Sequence, residues 1–222
     1  MEQPDTSTRL TGAVQELASQ VVSALSSGDH FGVLSGAAAD GDGGFRLAAV
    51  RVLGADTLLP SVALRRPPAP DDLAVLERAV RAFPPADSAS PTSLWTHWAM
   101  RRALGSAGAE PGTAWLDLAP WQVLTHQLAV LAALAVPDAD SAVTRAATRR
   151  PVDVARGFVR AVRRRDWLQA AGAGRWLTVI DGVPETLGLD AGLEFVSLMG
   201  GTDPRVALHL HAARLLRAGA PV

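Results

Sequence analysis

Two histidines and four tryptophans gather between Pro91 and Val136, and their side-chain types suit chemistry better than anything else in the chain. Trp95, Trp98, Trp115 and Trp121 share this stretch with His97 and His126. Imidazole changes charge near neutral pH, and indole supplies apolar surface together with a face that attracts cations. One candidate site follows: a pocket walled by Trp95, Trp98 and Trp121, with His126 and His97 as acid–base groups or metal ligands and Asp117 as the orienting carboxylate. Arg101 and Arg102 lie at helical spacing from Trp98, so a guanidinium can stack on that ring. The structural alternative is a helical core anchored by bulky aromatics, each histidine satisfied by a neighbour. His126 bears most on the choice, because an unpaired polar group on a buried helix costs roughly 1–3 kcal/mol.

A second constellation is basic. Nine arginines fall between Arg145 and Arg175, against only Asp153 and Asp166. On a helix from Pro151 to Asp166, Arg156, Arg160, Arg163 and Arg164 fall on one side and Val154, Phe158 and Val162 on the other. This face is an anion site, a docking face for an acidic partner, or a solvated surface. The first 60 residues hold seven acids and three arginines, so the two halves carry opposite bias.

Other motifs fail on spacing. His209 and His211 form an H-x-H pair, but two steps along a helix turn the rings about 200° apart. Asp40-Gly-Asp-Gly43 resembles the start of a calcium loop, yet Arg51 stands where the bidentate glutamate belongs. There is no G-x-S-x-G nucleophile elbow and no zinc-binding spacing, so neither metal nor cofactor is implied.

Composition narrows the class. The 222 residues are 48% apolar and 19% charged, as in a folded protein with a real core. A net charge of −1 gives no field that would collect nucleic acid. Cys, Lys, Asn and Tyr are absent and Ile180 is the single isoleucine, a bias expected of a GC-rich genome; arginine is therefore weak evidence of a bidentate site. The opening MEQPDTSTRL has neither the basic start nor the apolar centre of a signal peptide. The apolar run Trp121–Val136 is too short to cross a membrane. A cytoplasmic protein is expected.

The elements that must position these residues read as follows. Leu10, Val14, Leu17, Val21 and Leu25 place a helix over about Ser7–Ser26, ended by Gly28. His30–Ala39, Phe45–Leu53 and Leu58–Arg65 are expected as a three-stranded antiparallel meander, with Pro60 marking an edge strand and a helical reading of Phe45–Leu53 left open. A helix carrying Leu73, Leu76 and Val80 follows. After the small polar segment up to Ser90 everything is expected to be helical, with an almost wholly apolar helix ending at Val136 as the centre. The predicted fold class is thus α+β and helix-dominated: residues 1–88 form a small α+β domain and residues 89–222 an all-helical bundle.

On these grounds the expected function is that of a non-catalytic binding or accessory protein. It would engage a protein or peptide partner through the sheet edge at Leu58–Arg65 or the basic face of Arg156, Arg160, Arg163 and Arg164, and a homo-oligomer is compatible with it. The alternative is an enzyme of specialised metabolism that uses the tryptophan-lined pocket with His126 or His97.

Overall fold

The computed structural model describes residues 5–28, 32, 34, 43–137 and 139–218. Every regular element among them is helical. By its internal contacts the chain separates into two compact units, Met1–Ala109 and Glu110–Val222.

In the first unit, α1 (Thr6–Ser27) ends where Gly28 takes a left-handed φ of 72°. Its stripe of Val14, Leu17, Val21 and Leu25 is buried, as the spacing predicts. The next element corrects the sequence reading. Phe45–Leu53 lies within helix α2 (Gly43–Leu53), and Leu58–Arg65 comprises the last residue of a 3-10 turn (Gly54–Leu58), the short helix α3 (Leu59–Ala63) and the turn that follows it. The meander is therefore absent among the described residues, and with it the expected α+β class. The first expected strand, 30–39, lies outside the described residues except for Gly32 and Leu34.

The reason lies in packing. Ala49 and Val50 are buried side by side on α2, and Leu58, Leu59, Pro60 and Ser61 are buried in succession, which the alternating faces of a half-exposed strand do not allow. Pro60 sits in the first turn of α3, where its missing N–H costs nothing. Gly54 takes φ 60° where α2 turns into the 3-10 segment. Helices α4 (Pro70–Ala82) and α5 (Pro91–Ala103) complete the unit. Its core joins Val14, Leu17, Leu34, Val50, Leu58, Leu76 and Met100, and the Leu34 N–H donates to the buried Asp72 carboxylate at 2.7 Å.

The second unit runs through α6 (Ala114–Asp117), α7 (Trp121–Val130), α8 (Ala142–Thr148), α9 (Pro151–Arg163), α10 (Trp167–Leu177), α11 (Leu189–Gly200) and α12 (Pro204–Ala218). Its centre is α10 rather than the expected α7. Every residue of α10 from Ala170 to Leu177 is buried, and the helix packs on α7, α9, α11 and α12. Small residues make this close approach feasible: a Cβ on Gly172 would lie 2.8 Å from the Ala129 carbonyl oxygen of α7. Helix α7 buries Leu124, Thr125 and Leu128 and leaves Val123 and Val130 exposed, so it has a solvent face after all. It also stops at Val130, short of Val136.

Candidate functional site

The feature with the best claim to a binding role is a groove of about 740 Å³ along the outer side of α9. Arg156, Arg160, Arg163 and Arg164 line it together with Val152, Ala155, Val159, Trp121 and the 184–187 turn, which contributes Pro184, Thr186 and Leu187. All four arginines are exposed. Val152 and Val159 are 46% and 37% exposed, so the floor is apolar and open.

Local chemistry fixes α9 in this position. Pro151 opens the helix, and Arg150 just before it ties the helix start to its surroundings. One nitrogen of Arg150, Nη1, donates to the Leu116 and Ala119 carbonyls at 3.1 and 2.8 Å, while Nε and Nη2 donate to Asp153 at 2.9 and 2.7 Å. One turn further on, Gly157 lets α7 come very close: a Cβ there would meet the Thr125 side chain at 2.1 Å. The Thr125 hydroxyl fills that space, donating to the Trp121 carbonyl at 2.8 Å and lying 3.3 Å from the Asp153 carbonyl on α9. Trp121, the first residue of α7, is thereby held beside α9, where the Arg160 guanidinium stands 5.6 Å from the centre of its ring. The far end of α9 closes with Arg165 in the left-handed region at φ 57°, its N–H bonded to the Val162 carbonyl and that of Asp166 to the Ala161 carbonyl. A non-glycine residue there costs on the order of 1 kcal/mol.

The charges along the groove are unevenly matched. Asp153 is shared by Arg150 and Arg156, at 2.7 and 3.4 Å. Arg160, Arg163 and Arg164 have no carboxylate partner among the described residues. Like charges three and four residues apart on a helix destabilise it by roughly 0.2–0.5 kcal/mol per pair. The stripe is thus a small standing cost that an anion in the groove would offset.

The other sequence-predicted residues fall elsewhere. In the first unit Trp95 is fully buried and Trp98 nearly so, their rings edge to face with centroids 5.0 Å apart. The Trp98 indole N–H donates to the Gly108 carbonyl at 3.1 Å, and Arg102 rather than Arg101 stands over its ring, 5.3 Å from the centre. Arg101 donates to the Ser106 carbonyl at 2.6 Å. His97 is half-buried, with Nε2 enclosed and unbonded. Burial pushes its pKa down; a backbone hydrogen bond to Val80 opposes this, while the nearby Arg51 and Arg101 charges add to it.

In the second unit His126 is exposed, and its Nδ1 lies 3.4 Å from Gln169 Oε1. Asp117 pairs with Arg149 on the surface. His126 therefore escapes the burial that the sequence implied, and Asp117 is engaged with a guanidinium. Of the predicted residues, Trp121 and the four arginines are brought together. The sequence reading missed the apolar side of the groove. Val152 and Val159, seven residues apart on the outward side of α9, were the available signal; Pro184 and Leu187 had none.

Among the described residues no cluster of three or more His, Asp or Glu could hold a metal ion. No helix among them is long and apolar enough to cross a membrane. Comparison with protein-family models, with curated proteins and with solved structures finds no match to this chain.

Proposed function

We infer that this is a non-catalytic binding or accessory protein of the cytoplasm that engages an acidic protein or peptide partner through the arginine face of α9. One observation carries the reading: Arg160, Arg163 and Arg164 stand without carboxylate partners, among the described residues, along an open groove whose floor is apolar. Cations beside exposed apolar surface suit a partner that brings both acids and hydrophobic side chains. The sheet-edge route is withdrawn, since Leu58–Arg65 contains no strand. The tryptophan pocket attracts less support, because Trp95 and Trp98 fill their space against each other.

The test is reversal of two exposed charges, Arg160→Glu with Arg164→Glu. A fluorescently labelled glutamate-rich peptide is titrated into the native protein and into the variant, and anisotropy is read at low and high salt. Affinity should fall with salt in the native protein and by at least about tenfold, some 1.4 kcal/mol, on reversal. Unfolding stability should stay within about 0.5 kcal/mol, as for other surface changes. Equal affinity before and after reversal would remove the basic face from the function.

A further inference from the structure

Resting on that reading of the groove, we propose that its occupant is an acidic amphipathic helix. Two properties of the site point there. The first is hydrogen bonding. The α9 side of the groove is a helix, whose backbone is paired internally and offers a peptide no free edge. Thr186 supplies the one neutral hydroxyl in the lining. An extended peptide laid on this floor could set its C=O groups against the arginines, but its N–H groups would find the Thr186 hydroxyl as the one side-chain acceptor in the lining, at roughly 1–3 kcal/mol for each one buried unmatched. A helix satisfies its backbone internally and brings none of that cost.

The second is spacing. Arg156, Arg160, Arg163 and Arg164 extend over about 12 Å of helix at 1.5 Å per residue, a line of charge longer than a single phosphate. Carboxylates one turn apart along the flank of a partner helix match that run. Val152, Ala155 and Val159 form a parallel stripe at intervals of three and four residues. Such a stripe accepts apolar side chains placed at i, i+3 or i+4, and i+7 on the facing helix. Trp121 and Leu187 border the same floor and supply further apolar surface for those anchors.

The experiment uses the full chain and two labelled peptides of about 18 residues, long enough to support helix. One carries leucines at i, i+3, i+7 and i+10 with glutamates on both flanks. The other has the same composition in an order without helical patterning. Binding is followed by anisotropy, and helix gain in the peptide by circular dichroism. The patterned peptide should bind at least about tenfold tighter than the shuffled one and become helical on binding. Val152→Ser with Val159→Ser, at two exposed positions, should bring its affinity down to that of the shuffled peptide. Arg160→Glu with Arg164→Glu should weaken both.

Equal binding of the two peptides, with both lost on arginine reversal, overturns the helical occupant and leaves the acidic-partner reading intact. Binding that is indifferent to arginine reversal overturns both. Inorganic pyrophosphate is the third probe. Displacement of the patterned peptide by pyrophosphate at peptide-like concentrations would overturn the helical occupant in favour of a small phosphorylated ligand, whereas competition only at concentrations that act as general salt supports it.

Discussion

Helices α5 and α9 are each 13 residues long, each begins with a proline in its first turn, and each carries arginines near its end. They put these similar parts to opposite uses. In α5 the tryptophans and arginines are occupied, His97 Nε2 alone of its candidate groups being enclosed without a partner: Trp95 and Trp98 pack on each other, Trp98 bonds Gly108, Arg102 covers its ring and Arg101 is held by the Ser106 carbonyl. Among the described residues only Arg156 of the α9 face finds a carboxylate, and Arg160, Arg163 and Arg164 are exposed along a floor with Val152 and Val159 uncovered. What separates them is the chain nearby. The loop after α5 folds back and offers carbonyls to its side chains. The 184–187 turn, by contrast, brings Pro184 and Leu187 beside α9, and its one carboxylate, Glu185, makes no ion pair with those arginines among the described residues. A chemically rich stretch is therefore a poor guide to a site until one knows which of its groups have been used.

Three changes would break or sharpen this contrast. The largest effect is expected from Trp95→Ala. If Trp95 is an anchor of the core, its loss removes a completely buried indole and should cost about 4 kcal/mol in denaturant unfolding. A cost under about 1 kcal/mol would mean that α5 has room for a pocket.

Next comes Gly157→Ala. The added methyl meets Thr125 at 2.1 Å, so either α9 moves off α7 or Thr125 gives up its bonds to the Trp121 and Asp153 carbonyls. A loss of about 3 kcal/mol is expected, with weaker binding of the patterned peptide because Trp121 and Arg160 are no longer held together. Unchanged stability would detach the groove from the α7–α9 crossing.

The smallest effect concerns His97 and pH. Burial holds its pKa below the ordinary imidazole value of about 6.5, so as pH falls the unfolded chain takes up the proton first. Stability should be level above about pH 7, decline as pH drops through about 6.5 and level off below the folded value. His211, also depressed by burial and then by Arg214, adds to the same slope. In urea unfolding at several pH values, His97→Gln should flatten the decline in part; an unchanged slope would show that the ring titrates as freely as in the unfolded chain.

Legibility in the sequence followed locality. The start of α5 was readable because Ser90-Pro91 is a cap followed by a first-turn proline, and the Ser90 hydroxyl does accept from the Ser93 N–H at 3.2 Å. Asp203-Pro204 marked the start of α12 in the same way, and Gly28 the end of α1. The segment 45–65 was misread because its short apolar runs fit period two and period 3.6 alike. What tips Phe45–Leu53 into a helix is packing against α1 and α4, a fact no local window contains.

The sequence by itself determined where most helices of this protein begin and end and which side of α9 bears arginine, because caps, prolines and side-chain periodicity act within a turn or two of the residue concerned. Tertiary structure alone decided that α10 and not α7 is the central helix, that His126 faces solvent and that the arginine face borders an apolar groove. Those outcomes depend on which distant segments come into contact: Gly157 against Thr125, Gly172 against Ala129, and the 184–187 turn beside Val159. Burial is a property of such contacts, and the same residue types are core or site according to what is laid against them.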